Sequence, residues 1–149
     1  MMPTLFGVTT LLLACAVMLV IGLAGRPANG LSVPTGSHVV HVDEFDYGIR
    51  LPAGPLPAGN VVLVDTNRGT IPHELVMFAT KAGAPLPMRK DGSLNEDSPA
   101  LENVIDSGSA LQPGETRLLS ATLDKGTYVI VCNLPSHFRL GMHRFVVVR

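Results

Sequence analysis

The stretch formed by residues 126–148, GTYVIVCNLPSHFRLGMHRFVVV, constrains the fold more than any other part of the chain. Its two ends are rich in Val, Ile, Tyr and Phe, and such short runs bounded by turn residues are typical of β-strands. Between the ends, Cys132, His137 and Met142 follow one another at intervals of five residues. The pattern predicts two strands joined by one loop that carries a thiol, an imidazole and a thioether.

These three side chains favour one kind of metal ion. Thiolate and thioether sulfur suit Cu(I), imidazole suits both copper oxidation states, and a trigonal His₂Cys arrangement with a weak axial Met is the recurrent electron-transfer geometry. Cys132, His137 and Met142 supply three of those four ligands. The second histidine must therefore come from elsewhere in the chain.

The Cys132-x4-His137-x4-Met142 loop, placed between a Gly-Thr-Tyr strand and a Val-rich strand, resembles the ligand loop of the cupredoxins, the mononuclear blue-copper proteins. The loop is longer than that of plastocyanin and is similar to those of rusticyanin-like and sulfocyanin-like proteins. The resemblance covers roughly residues 38–149 and implies that the missing ligand is His73, in NRGTIPHELVMF. It also implies one copper ion per chain, alternating between Cu(I) and Cu(II), with the Met142 sulfur as the weak axial ligand.

The residues on either side of His73 add two expectations. The resemblance implies that the carbonyl of Pro72 lies near the metal. Glu74 stands where plastocyanin and azurin often carry Asn or Ser. This difference leaves open which group forms a hydrogen bond with the Cys132 thiolate.

The N-terminus differs from the rest of the chain. Residues 5–23 contain no charged residue, and their 19 positions exceed the ~7–15 of a signal-peptide core and just reach the ~18 of a membrane span. Small residues at 22–24 and 28–30 fit cleavage, and the sequence around Cys15 resembles a lipobox less well. We expect residues 1–30 to be a signal peptide or an N-terminal membrane anchor. The cupredoxin domain, residues 31–149, would then be periplasmic or extracytoplasmic.

Cysteine usage and net charge argue against an intrachain disulfide and against a nucleic-acid partner. Cys132 is the only cysteine outside the N-terminal segment, so the exported domain has no intrachain disulfide, and its thiol is either buried and inert or bound to a ligand. The formal net charge is −1 and no basic run is present, which argues against a nucleic-acid partner.

Hydrophobic alternation and turn residues predict about seven or eight strands. Residues 38–51 alternate with one shift between Val42 and Phe45, which predicts a strand, a bulge and a second strand or strand half. Further strands are predicted at 60–66, in the segment that carries His73, and in a hairpin made of TRLLSATL and TYVIVC. The fold class is an all-β, cupredoxin-like Greek-key β-sandwich with one short helix, which Ser98-Pro99 would begin and which would end near Ile105.

Two other regions could contain a functional site. Residues 81–112 form a long connection that could cover the copper site or dock a partner, although a solvated crossover is favoured. His38 and His41 lie near acidic residues, but on a regular strand they point to opposite faces, which argues against a second metal site.

Electron transfer is the function that these features favour. The electron would leave through His137 to a redox partner of the cytochrome or oxidase type, docked on an apolar patch of the loop residues Leu134, Pro135, Phe138 and Leu140. Phe138 and Leu140 could instead pack inward. Arg139 and Arg144 would steer an acidic partner or simply be solvated. We expect a monomer. The alternatives are a copper carrier or buffer and a metal-free interaction sandwich, whereas a copper enzyme would need further His clusters that five histidines without a His-x-His pair do not supply.

Overall fold

The computed structural model of the protein describes residues 32–149, which form two packed β-sheets. The strands are β1 (His38–Phe45), β2 (Gly48–Arg50), β3 (Gly59–Asn67), β4 (Leu75–Thr80), β5 (Glu102–Asp106), β6 (Thr116–Leu123), β7 (Gly126–Cys132) and β8 (His143–Val148). The first sheet has the order β2-β1-β3-β6 and the second β5-β4-β7-β8. The predicted β-sandwich of about eight strands is confirmed.

The first sheet is mixed, because β1 and β3 are parallel while its other pairs are antiparallel. The second sheet is antiparallel throughout. The signal peptide or anchor predicted for residues 1–30 lies outside the described residues. Within residues 32–149, no helix is long and apolar enough to cross a membrane.

The core lies between the inner faces of the two sheets. Alternate apolar residues of each strand point into it, as the period of two predicts. Its fully buried members include Val42, Val61, Leu63, Leu75, Met77 and Ile130. A second apolar cluster covers the outer face of β4 and β7 and includes Phe78, Leu94 and Leu101. Because β4 and β7 are buried on both faces, their sequences are continuous apolar runs.

The prediction of a short helix beginning at Ser98-Pro99 is wrong. Ser98 does form a turn, since its carbonyl accepts the Leu101 N–H at 3.0 Å and its hydroxyl the Ala100 N–H at 3.3 Å. The chain then continues as β5, which pairs with β4 and sets Val76 opposite Asp106. Without β5, β4 would be an unpaired sheet edge, so strand pairing outweighs the local capping signal.

Two other local predictions need correction. The shift between Val42 and Phe45 does not mark a bulge, because β1 and β2 form a hairpin in which Phe45 pairs with Gly48 and residues 46–47 are the turn. β6 and β7 are not a hairpin either. β6 pairs with β3 in the first sheet and β7 pairs with β4 and β8 in the second. A tight-turn signal locates a chain reversal but does not determine which strand each arm pairs with.

Candidate metal centre

The donor atoms of His73, Cys132 and His137 converge where β7 ends and β4 begins. They lie within 4.8 Å of one another. Cys132 Sγ is 3.2 Å from His137 Nδ1 and 4.0 Å from His73 Nδ1. His73 and Cys132 are fully buried, whereas His137 is half-buried. One metal ion could contact all three donors with small movements.

The loop after β7 brings Met142 to the same place. Cys132 is the last residue of β7, and its N–H donates to the Met142 carbonyl at 3.0 Å. The Met142 N–H donates to the His137 carbonyl, also at 3.0 Å. The Met142 side chain is fully buried among the core residues that surround Cys132. All four side chains that the sequence predicted as ligands therefore lie in one region.

His73 lies just before β4 rather than within a strand, and its backbone is held by residue 111. The His73 N–H donates to the Leu111 carbonyl at 3.1 Å, and the Leu111 N–H donates to the His73 carbonyl at 2.6 Å. The buried Asn67 side chain secures both segments, because Nδ2 donates to the carbonyls of Ile71 and Leu111 at 2.8 Å each. Asn67 Oδ1 also accepts the Gly69 N–H at 2.8 Å. Sequence reasoning identified only a turn here.

The β1–β2 turn, Asp46-Tyr47, contacts both imidazoles, which sequence reasoning missed. Asp46 Oδ1 lies 3.3 Å from His73 Nε2. The Tyr47 ring meets the His137 ring edge-on, with centroids 5.4 Å apart. Tyr47 has a φ of 63°, which is unusual for an aromatic residue. The period shift near Phe45 marked this turn, but no sequence signal connects it to the histidines.

The hydrogen bonding of the thiol depends on backbone groups. The Glu74 N–H donates to Cys132 Sγ at 3.3 Å, so the identity of the side chain at position 74 does not decide this contact. Burial raises the pKa of the Cys132 thiol to about 11, although backbone hydrogen bonds from Glu74 and Leu134 oppose that rise. The metal-free thiol is therefore protonated at neutral pH, and a metal ion must displace its proton.

Both histidines are neutral at neutral pH and can act as ligands. Burial lowers the pKa of His73, although the hydrogen bond that its ring donates to the Asp46 carboxylate opposes this effect. Burial also lowers the pKa of His137, and the neighbouring His73 lowers it further. A neutral imidazole keeps one nitrogen lone pair available for a metal ion.

Two buried carboxyl groups lie between the sheets near the donor cluster. Glu44 and Asp65 have no exposed surface, and Asp65 Oδ2 is 3.2 Å from Arg117 Nε. Burial and the neighbouring Asp65 raise the pKa of Glu44 to about 9. Burial also raises the pKa of Asp65 to about 6, although Arg117 opposes that rise. Glu44 is therefore protonated at neutral pH and places no charge beside the thiol.

The connection of residues 81–112 braces the ligand loop, so it is not merely a solvated crossover. The carbonyl of Asp91 accepts the Ser136 N–H at 2.8 Å, and that of Gly92 accepts the Arg139 N–H at 3.1 Å. The buried Asn133 side chain accepts the Leu94 N–H at 2.6 Å and donates to the Leu94 carbonyl at 3.2 Å.

The other candidates from the sequence lie elsewhere or pack differently. His38 and His41 are exposed on β1, and within residues 32–149 His73, Cys132 and His137 are the only group of three or more His, Cys, Asp and Glu side chains able to hold a metal ion. Leu134 and Phe138 pack against apolar clusters, whereas Pro135 and Leu140 are exposed. The apolar surface beside His137 is thus smaller than predicted.

Comparison with known proteins gives matches in structure only. Neither a protein-family model nor a curated protein matches the chain. The structure is similar to that of Na-dithionite reduced auracyanin from Roseiflexus castenholzii, with 20% identity, a TM-score of 0.54, and coverage of 76% of this chain and 98% of that chain. Auracyanin A of Chloroflexus aurantiacus, described as a "blue" copper protein, gives 16% identity, a TM-score of 0.54, and coverage of 76% and 100%.

Rusticyanin from Thiobacillus ferrooxidans is also similar. It gives 20% identity, a TM-score of 0.50, and coverage of 76% of this chain and 79% of that chain. These likenesses agree with the two four-stranded sheets and with the fold class that the sequence predicted. The described part of the chain has the cupredoxin fold.

Proposed function

We propose that the protein is an exported blue-copper protein that transfers single electrons and holds one copper ion through His73, Cys132, His137 and Met142. The observation that carries this proposal is the convergence of two imidazole nitrogens and one thiol sulfur within 4.8 Å of one another. The likeness to a "blue" copper protein supports it. Copper bound by these residues would supply one-electron chemistry between Cu(I) and Cu(II).

The protein's own residues would keep this centre dry and fixed. His73, Cys132 and Met142 have no exposed surface, so water is excluded on their side. Cys132 is held by β4 and β8, which flank β7, and His73 is held by its pairing with Leu111. Donors that are already positioned need little rearrangement when the charge of a site changes. Such a site favours rapid electron transfer.

His137 is the half-buried donor and so offers the path to a redox partner. The exposed residues around it include Tyr47, Pro135 and Leu140. A partner of the cytochrome or oxidase type would dock there transiently, since electron-transfer contacts typically bury less than ~1,200 Å². The exposed Arg139 and Arg144 would steer an acidic partner toward the same surface. No second copy of the chain is needed to complete the site.

Burial favours electron transfer over copper delivery. A carrier must release its metal to a recipient, and exposed donors make that exchange fast. Cys132 and His73 are both fully buried, so metal would have to leave past the half-buried His137. An electron can pass through the same imidazole without any donor moving away.

Loading the protein with Cu(II) tests the site. We expect intense thiolate-to-copper absorption and narrow copper hyperfine splitting, both abolished reversibly by ascorbate. Cys132→Ser should remove the colour, whereas His41→Ala, at an exposed position of β1, should leave it unchanged. A pale spectrum typical of tetragonal copper in the unmodified protein would contradict the proposal. Rapid loss of copper to a chelator, faster than reduction by ascorbate, would instead support a carrier.

Met142→Gln tests the fourth ligand. The variant should retain copper and its colour but show a lower reduction potential, because the axial ligand tunes the potential. Voltammetry of the two proteins provides the measurement. Indistinguishable potentials would show that Met142 is not an axial ligand.

A further inference from the structure

We propose that Asp46 is a positioning residue of the metal centre, whose carboxylate fixes the tautomer and orientation of His73 and increases the donor strength of that imidazole. The effect on the imidazole rests on the described geometry alone. The effect on the metal rests on the proposed function, since it requires copper at His73. No sequence pattern connects Asp46 with this site.

The carboxylate is itself held in place. Asp46 Oδ1 accepts the Thr70 N–H at 2.8 Å, and Oδ2 accepts the Thr70 hydroxyl at 2.6 Å. The same Oδ1 lies 3.3 Å from Nε2 of the fully buried His73. Both carboxylate oxygens thus have partners, and the Asp46 side chain cannot rotate away without breaking the Thr70 contacts.

The backbone at Gly69 leaves space for this contact. A Cβ atom added at Gly69 would overlap Asp46 Oδ1 and would lie 2.7 Å from His73 Nε2. Real Cβ atoms do not approach other atoms so closely, so any side chain here would push the carboxylate and the imidazole apart. The glycine backbone therefore covers the Asp46–His73 contact, and only glycine can do so at this position.

The contact determines which nitrogen is free. A neutral imidazole has one N–H donor and one lone pair. A carboxylate at Nε2 selects the tautomer in which Nε2 carries the proton, which leaves the Nδ1 lone pair directed toward the cluster, 4.0 Å from Cys132 Sγ. A carboxylate partner also raises the basicity of a ligating imidazole. His73 should thus favour the more highly charged state of a bound metal and lower the reduction potential.

The other imidazole has a different outer contact, which makes the effect specific. The ring of His137 meets the uncharged Tyr47 ring.

Asp43, on the same strand as Glu44, provides a matched control, because its carboxylate lies 3.1 Å from Arg68 Nε and 4.0 Å from Arg50 Nη1. Asp43→Asn removes the same charge as Asp46→Asn without altering a contact to His73.

NMR of the metal-free protein tests the positioning role directly. In the unmodified protein, we expect the ¹⁵N shifts of His73 to show the tautomer protonated at Nε2. Asp46→Ala should give a mixture of tautomers, Asp46→Asn should retain the original one in part through its amide oxygen, and Asp43→Asn should change nothing. Gly69→Ala should give the same mixture with Asp46 intact. An unchanged tautomer in both Asp46→Ala and Gly69→Ala would overturn the proposal.

The copper-loaded proteins test the electronic role. Asp46→Asn should raise the reduction potential more than Asp43→Asn does, and Asp46→Ala should weaken copper binding by about 10–100-fold, as is typical for loss of such a partner. Equal shifts of potential in Asp46→Asn and Asp43→Asn would contradict a role beyond long-range charge. If the unmodified protein forms no blue-copper site, the proposed function fails, while the metal-free NMR measurement still decides the tautomer role.

Discussion

The two histidines of the donor cluster lie in different surroundings, on two sides of the cluster. On the fixed side, made of His73, Asn67 and Leu111, the imidazole is fully buried and its backbone is paired. On the open side, made of residues 133–141, His137 is half-buried in a loop next to Tyr47. One imidazole is therefore held inside the protein, whereas the other can be reached from outside.

Replacement of each imidazole by glycine should separate the two sides most strongly. Free imidazole should restore the blue colour in His137→Gly, because the vacated space lies at a half-buried position. It should not do so in His73→Gly, because that position has no exposed surface. Visible absorption after addition of copper and imidazole provides the measurement. Equal rescue of both variants would show that burial does not distinguish them.

Two buried asparagines test whether each side is held separately. Asn67→Ala removes three hydrogen bonds on the fixed side, and Asn133→Ala removes the two with Leu94 that brace the open side. Each should lower the free energy of unfolding by about 2–3 kcal/mol, because buried groups lose their partners. Asn60→Ala, at an exposed position, should cost less than ~0.5 kcal/mol.

Amide hydrogen exchange then shows which segments open more often in each asparagine variant. Asn67→Ala should increase exchange at Leu111 and His73, and Asn133→Ala should increase it at Leu94 and in the ligand loop. Exchange that rises equally on both sides in both variants would mean that the sides open as one unit.

A rise in pH should destabilise the metal-free protein through Glu44, which pairs with Asn67 of the fixed side. The pKa of Glu44 is raised from 4.5 to about 9, so between these values the native protein holds a proton that the unfolded chain has lost. The free energy of unfolding of the metal-free protein should therefore fall as pH rises through this range. Glu44→Gln should flatten the dependence, and Glu102→Gln, at an exposed position, should not. Urea denaturation at pH 6 and 9 measures both, and equal slopes in all three proteins would contradict this expectation.

The smallest expected effect concerns Tyr47 on the open side. Its φ of 63° suits glycine, so Tyr47→Gly should be more stable than Tyr47→Ala by about 1 kcal/mol. Both variants lose the ring beside His137 and should slow electron exchange with a partner to the same extent. If the two variants differ in electron-exchange rate as well as in stability, the backbone conformation at residue 47, and not the ring, affects the open side.

The sequence predicted the ligand loop better than the fixed side for a physical reason. Cys132, His137 and Met142 are neighbours in the chain, so their spacing alone describes one loop. The contact between Asp46 and His73 joins residues that are 27 positions apart and depends on how the β1–β2 turn folds over Gly69. No local pattern encodes that distance.

The strands show the same limit. The apolar runs of β3 and β7 predicted their existence, because burial requires those residues. Their partners were harder to predict. The capping signal at Ser98 favoured a helix although β4 required β5 as a partner, and the turn at 124–126 favoured a hairpin although its arms belong to different sheets.

The chain separations within the donor cluster also have a consequence for the order of folding. Cys132 and His137 are 5 residues apart, whereas Cys132 and His73 are 59 apart. Loop closure costs about 0.6 kcal/mol more for each doubling of length, so the second contact costs roughly 2 kcal/mol more in chain entropy. In a partly folded chain, His137 should remain close to the Cys132 thiol, whereas His73 should on average be much farther from it. We therefore expect the complete donor set to form late, after the strands on either side of the cluster have paired.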